Sequence, residues 1–399
     1  MTGHAVFLFF PPGSLLSMRA LRIAFLALFF GFALLPFVNQ RFVIIPDVVL
    51  LGVTDPPTEV PFSWGAYWSN RFQPSYEARY DAELSLRGRF VRADNELNLR
   101  AFHQVGLNPR TSLIIGKDDY LFERSYVDAF NRHDEVPSSA MEPKVERLAL
   151  LQKYLESRGS MLLLVITPSK PLLYPEYLPP RYVFKERHSV PTNYEKFVPL
   201  LNKHGIYTVD GQAYLQERKP QVPFTFFGNS STHWNEVGAC EVTALAMDAI
   251  ARQLKQPLPA LRCHPHSASM RQRKRDIDIL QLCNLWYEDR LYQPVYRPRA
   301  RPASRSAVPM PSLLVIGGSF SFHMADYFRM YHIDHTIYRY YSTQYYRNRK
   351  TPIVREAIDW EKDVFSKQIV LVEVNAEIVH NVGFGFLEDA ERVIAAQHH

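Results

Sequence analysis

The chain has 399 residues, 47% of them hydrophobic, which is enough for a full α/β domain with an appendage and too much for a lone anchor or a small module. Its formal net charge of +6 is compatible with nucleic acid, an anionic glycan or lipid headgroups and does not choose among them. The three cysteines, Cys240, Cys263 and Cys283, lack the close Cys or His spacing of a zinc or iron–sulfur site, so a structural metal is not expected.

In chain order, the stretch before Met18 reads as an upstream extension of the true start. Ile23 to Val38 is uncharged and almost wholly apolar, and Ala20 and Leu21 extend it past Arg22, whose long side chain can snorkel. The segment thereby approaches the ~20 residues that span a bilayer. A cleaved signal peptide has a similar outline, but no clear A-x-A site follows, so an uncleaved anchor is expected. Arg19 and Arg22 before the span, against Arg41 alone just after it, place the N-terminus in the cytoplasm and the rest outside. Pro56 and Pro57 mark an exit linker, and folded structure is expected from about Trp64. The division this implies is an anchor over 1–55, a helical lead-in over 56–110 and an α/β domain over 111–399.

Ser112 to Glu123 reads as a hairpin around Gly116-Lys117-Asp118-Asp119. A helix is expected from Pro143, with Val145, Leu148, Leu151 and Leu155 on one face and Gly159 as its stop. Further helices are expected near Tyr194 to Leu201, Glu236 to Leu254, Phe322 to Met330 and Val354 to Trp360. Apolar strands are expected at Met161 to Ile166, Ile206 to Val209, Leu313 to Ile316, His335 to Tyr338 and Gln368 to Val374. Strands alternating with helices predict an α/β fold with a doubly wound, mostly parallel sheet. Arg271 to Arg275 and Arg297 to Arg305 read as solvated basic loops. In an oxidising compartment Cys263 and Cys283 can pair, leaving Cys240 as a buried thiol, although spacing alone does not fix the connectivity.

Four polar motifs follow the predicted buried strands: Thr167 to Lys170, Asp210-Gly211, Gly317-Gly318-Ser319, and Glu373 to Glu377 around Asn375. In open α/β sheets the ligand crevice lies at the carboxyl ends of strands, where such distant segments converge. Gly317 and Gly318 permit a tight turn that exposes the Ser319 hydroxyl, with amides of the next helix aimed where an oxyanion forms. Serine needs a neighbouring group to take its proton, and His233, in a polar stretch before a helix, is the candidate base. An ordinary N-cap serine and a packed loop histidine are the plainer readings of each residue alone.

The ordered motifs resemble the SGNH-hydrolase-like alginate O-acetyltransferases, the AlgJ and AlgX group. Gly116 to Phe122 is similar to that family's GKDGWLF hairpin, and Thr167 to Lys170 with Tyr174 to Pro179 to its PPK…YPEYLP segment. Ser231-Thr232-His233-Trp234-Asn235 resembles DTHWN, Asp276 to Leu280 lies where a GDL-type turn is common, and Gly317 to Ser321 resembles the nucleophile turn. The resemblance implies an SGNH-like domain with a Ser-His-Asp triad that forms an acetyl-serine and passes the acetyl group to a sugar hydroxyl. Ser319 takes the nucleophile's place and His233 the base's, but Ser231 stands where the family has its aspartate. Glu236 or Asp210 is then the candidate acid, or the protein is a slow dyad or a non-catalytic partner.

Lys170, Trp234, Arg339, Tyr345 and Asn375 are the substrate-binding candidates. Arg339 and Tyr345 belong to an aromatic and basic stretch suited to stacking on sugar rings and binding carboxylates. The resemblance also implies a polysaccharide acceptor and a multi-pass membrane acyltransferase of the MBOAT type as partner; the apolar N-terminal segment implies a membrane setting, and neither a cofactor nor nucleic acid is expected. An acetylesterase, or a degenerate scaffold or glycan-binding subunit, is the alternative reading.

Overall fold

The computed structural model describes residues 18–52, 58–105, 113–184, 190–264, 266–304, 306 and 308–397. The stretch before Met18, the Pro56-Pro57 linker, Ser112 and Arg305 lie outside the described residues. Two units divide the chain, Met1–Leu97 and Asn98–His399.

In the first unit α1 (Met18–Phe42) has a mean hydropathy of 2.3 over its 18-residue window, which is 6% buried. It is long and apolar enough to cross a membrane. The chain after it is tied down. Asn39 Nδ2 donates to Ile45 O (2.9 Å) and Ser85 Oγ (2.8 Å), and its Oδ1 accepts from Ile45 N. Ser63 caps α2 (Trp64–Trp68), and α3 (Phe72–Glu83) and α4 (Arg87–Phe102) follow, the last running into the second unit.

The second unit opens with the hairpin β1 (Leu113–Ile115) and β2 (Leu121–Glu123), then α5 (Arg124–Phe130). Helix α6 (Ser138–Ser157) starts before Pro143, so that proline sits inside the helix rather than at its first position. Its Val145, Leu148, Leu151 and Leu155 are buried at helical spacing. Next come β3 (Met161–Thr167), α7 (Lys170–Leu173), α8 (Asn193–Lys203), β4 (Thr208–Asp210) and α9 (Gly211–Arg218). After α10 (Glu236–Leu254), the short strands β5 (Leu261–Arg262) and β6 (His266–Ser269), the helix α11 (Asp278–Leu282), and β7 (Val295–Pro298) and β8 (Arg301–Pro302) form a side structure, with β5 paired to β8 and β6 to β7. The chain closes with β9 (Leu313–Gly317), α12 (Ser321–Met330), β10 (His335–Arg339), β11 (Thr343–Tyr346), β12 (Arg349–Pro352), β13 (Ile369–Asn375) and α13 (Phe386–Ala396).

The main sheet has the order β12-β11-β10-β9-β13-β3-β4, with β10 to β4 parallel and β11 and β12 added antiparallel. The last strand, β13, inserts between β9 and β3, so it is covered on both sides. Alternate residues of β3 feed opposite cores: Met161, Leu163 and Val165 pack with α10 and α12, whereas Leu162, Leu164 and Ile166 pack with α6, α8 and α13. This is the doubly wound α/β arrangement expected.

Four local expectations differ. Val354 to Trp360 is no α-helix; a 3-10 turn at Arg355–Ala357 and a π turn at Trp360–Phe365 stand there. The Tyr338 to Arg349 stretch folds back as the β10-β11-β12 ribbon, with Tyr338 and Tyr341 in the core. Residues 297–304 are not merely a solvated loop, because Arg297 pairs with Asp276 (2.6 Å) and Glu236 (3.4 Å). The disulfide joins Cys240 to Cys263, with a Cα–Cα distance of 5.9 Å, since β5 returns the chain beside α10. Cys283 packs in a different cluster with Leu121 and Leu280, and burial pushes its thiol up to about 12.

Candidate active site

The end of β9 makes the turn that presents Ser319. A side chain at Gly317 is excluded, because a Cβ there would lie 2.7 Å from Glu373 Oε2. Glu373, fully buried on β13, accepts from Gly318 N (2.7 Å) and Thr167 Oγ1 (2.6 Å), and Ser321 Oγ donates back to Gly318 O. Burial pushes the Glu373 carboxyl up to about 7 against these two hydrogen bonds. The Gly318 amide, an expected oxyanion donor, is therefore already engaged. The Ser319 amide donates to the Tyr340 hydroxyl oxygen at 3.3 Å, and that hydroxyl donates to Ser319 Oγ at 3.3 Å. Tyr340 reaches this place with φ +48°, a left-handed conformation uncommon for a bulky residue.

Ser319 Oγ lies 2.7 Å from His233 Nε2, and His233 Nδ1 is hydrogen-bonded to Asp278 Oδ2. The other Asp278 oxygen accepts from Thr232 N (3.0 Å) and Ile279 N (2.8 Å), which fixes the carboxylate beneath the ring. Burial pushes Asp278 up, but the bond to His233, its charge and the Thr232 amide outweigh this and hold the carboxyl below its usual value. His323 packs 5.8 Å from the His233 ring, and burial, then His233 and Arg275, lower it to about 3, so it stays neutral.

The carboxylate bonded to His233 Nδ1 is thus that of Asp278, and none of Ser231, Glu236 and Asp210 occupies that place. Ser231 Oγ accepts from His233 N (3.0 Å) and donates to Arg275 O (2.9 Å), tightening the loop without reaching the imidazole's Nδ1. Glu236 is turned to Arg273 and Arg297. Asp210 caps α9 through Ala213 N and accepts from Tyr194 Oη. Asp278 was within sight as the GDL-like turn, where a carboxylate opens the short apolar helix α11, but 45 residues separate it from His233.

The substrate-binding candidates separate. Lys170 is buried and donates to Leu121 O (2.8 Å), Asn229 O (2.9 Å) and Ser231 O (2.8 Å), so all three of its protons clamp the hairpin to the His233 loop. Burial lowers it to about 7. Trp234 is core, edge-on to Phe320, and Asn375 ties β13 to Pro168 O (2.8 Å). Tyr345 packs edge-on against Phe322. Arg339, half-buried, pairs with Gly317 across β10 and β9 and lies over the Phe322 and Tyr340 rings. It alone of the five stands beside the nucleophile turn with part of its surface exposed. Glu373 belongs to the polar motif expected at the end of the last strand and Tyr340 to the aromatic and basic stretch, but neither sequence context points to the contact that each makes with the Ser319 turn.

Comparison with known proteins bears on this geometry. The family described as SGNH hydrolase-like domain, acetyltransferase AlgX, matches residues 113–330, a span that contains His233, Asp278 and Ser319. The chain is 28% identical over 246 residues to the probable alginate O-acetylase AlgJ of Pseudomonas syringae pv. tomato, covering 60% of this chain and 54% of that protein. It is 27% identical over 183 residues to the probable alginate O-acetylase AlgJ of Pseudomonas putida, with 44% and 43% covered. The chain therefore spans about half the length of the curated relatives it matches. Among solved structures, the O-acetyltransferase domain of Pseudomonas putida AlgJ is similar at 18% identity and a TM-score of 0.45, over 68% of this chain and 93% of that one. Pseudomonas aeruginosa AlgX is similar at 15% identity and a TM-score of 0.40, over 70% and 67%.

Proposed function

The chain belongs to the SGNH hydrolase-like acetyltransferase family of AlgX, and from that premise we propose that it moves acetyl groups onto hydroxyls of an exported polysaccharide through an acetyl-Ser319 intermediate. The observation that carries the reading is the continuous chain Asp278–His233–Ser319, with His233 Nε2 2.7 Å from the hydroxyl. In the first half-reaction His233 takes the Ser319 proton as Oγ attacks the donor's carbonyl carbon, and returns it to the leaving group as the acetyl–donor bond breaks. Asp278 fixes the tautomer and stabilises the imidazolium, the role for which Ser231 has no charge. In the second half-reaction a sugar hydroxyl gives its proton to His233 and attacks the acetyl carbon, and Ser319 leaves with that proton.

The Ser319 amide and the Tyr340 hydroxyl hold the developing oxyanion once the exposed Tyr340 side chain shifts and frees that amide, whereas the Gly318 amide stays bound to the buried Glu373. Arg339 is the candidate for a carboxylate or hydroxyl of the acceptor. Helix α1 anchors the chain in the inner membrane with the main domain in the periplasm, beside a multi-pass acyltransferase that supplies acetyl groups. A C-terminal reporter active only in the cytoplasm must then stay silent, and a cytoplasmic signal overturns that placement. The activity is tested with a chromogenic acetyl ester and an oligosaccharide acceptor. Acetylated acceptor that disappears in Ser319→Ala supports transfer, whereas free acetate alone supports the esterase and no turnover the scaffold.

A further inference from the structure

We propose that Glu241, His264 and His266 form a zinc site in the side structure next to the α/β core. One donor atom of each lies within 4.8 Å of one from each of the others. Two imidazoles and a carboxylate are a ligand set that zinc takes, with water in the fourth position. Glu241 is on α10, His266 opens β6, and His264 lies between β5 and β6. The Cys240–Cys263 disulfide joins the residue before Glu241 to the residue before His264, so a covalent staple holds both ligand-bearing segments in register.

A second observation points to a missing partner. Glu241 is 5% exposed. Its Oε2 accepts from Tyr214 Oη (3.3 Å) and faces Arg218 Nε (3.6 Å), yet among the described residues its buried Oε1 has no hydrogen-bond partner. The buried Nε2 of His266 has none either. Buried polar atoms are rarely left unsatisfied, and two of them in one Glu-His-His cluster fit a cation better than coincidence. Metal–ligand distances of about 2.0–2.2 Å require the donors to close by roughly 1 Å, and exposed His264 can make that move by side-chain rotation. None of the three cysteines need serve, so the lack of a cysteine metal motif does not count against the site.

The test uses the full chain in detergent, without a histidine tag, stripped with a chelator and titrated with zinc chloride. One zinc per chain is expected, with the melting temperature raised by several degrees at saturation. His264→Ala and Glu241→Gln should each lower affinity at least tenfold while circular dichroism and the disulfide are unchanged. Because His264 is exposed, its variant separates lost binding from lost folding. Absence of stoichiometric zinc binding, or equal affinity in His264→Ala, overturns the proposal.

Discussion

At the carboxyl edge of the main sheet, Ser319, His233 and Asp278 are half-buried, whereas neighbouring Thr167, Lys170, Glu373 and Asn375 are no more than 4% exposed. Both sets meet at the ends of apolar strands and both are densely hydrogen-bonded, although His233 and Asp278 are brought there by a loop and by the start of α11. The half-buried set is linked in a line that ends at a reachable hydroxyl. The buried set ends on backbone: Lys170 on three carbonyls, Glu373 on the Gly318 amide, Asn375 on Pro168. Position at the strand ends therefore nominates residues for chemistry, and the accounting of donors and exposure decides which remain available. The first set should govern rate and the second stability.

The sharpest separation is expected from Ser319→Ala and Asp278→Asn, each lowering kcat for an acetyl ester by about 10⁴-fold with little change in melting temperature. A tenfold loss or less in Asp278→Asn would leave the acid unassigned. Lys170→Met should do the reverse, orphaning three carbonyls and lowering stability by roughly 3–5 kcal/mol in urea unfolding, while the fraction that stays folded retains its turnover.

Glu373 supplies a pH signature. Its carboxyl sits at about 7 in the folded chain against 4.5 as the ordinary value, so the folded state holds a proton that the unfolded state has lost. Stability from this group is complete below pH 4.5 and lost as pH rises through 7, by an amount of order 3 kcal/mol. Glu373→Gln should flatten the fall in melting temperature across that window. Lys170, lowered to about 7 from 10.5, works oppositely: stability rises from pH 7 towards 10.5. A wild-type profile unchanged by Glu373→Gln would contradict the burial argument.

Tyr340→Phe removes one oxyanion donor and should lower kcat by about 10²-fold with KM little changed. The smallest effect is expected from Ser231→Asp. Asp278 already bonds to His233, so a second carboxylate two residues before that histidine adds a like charge nearby, and turnover should fall by about tenfold or less rather than rise. A gain would mean that Asp278 does not serve His233.

Much of this fold can be read without coordinates. The continuous apolar runs of β3, β9 and β13 announce strands covered on both faces, and the spacing in α6 and α10 announces helices. The antiparallel ribbon β11–β12 is less legible, because β11 is half-buried and β12 exposed along their whole lengths, so neither shows the alternation of a one-sided strand, and no turn signal such as Asn-Gly joins them. Ser319 and His233 stand in local motifs and so are visible. Asp278 is not, since its role arises only when α11 folds its first residue under a loop 45 positions earlier. Ser231, Glu236 and Asp210 attract attention by closeness in sequence or by following a strand, and neither property orients a carboxylate towards Nδ1. Lys170 misleads for a related reason: a lysine after a strand suggests a ligand, and only burial reveals that its protons are all taken.

The central claim is that Ser319 carries the acetyl group. Brief incubation with an acetyl ester, acid quench and peptide mass spectrometry tests it most directly. A single added acetyl on the peptide containing Ser319, slowed strongly by Asp278→Asn and absent in His233→Ala, is the predicted result; acetylation elsewhere, or none while turnover proceeds, would contradict it.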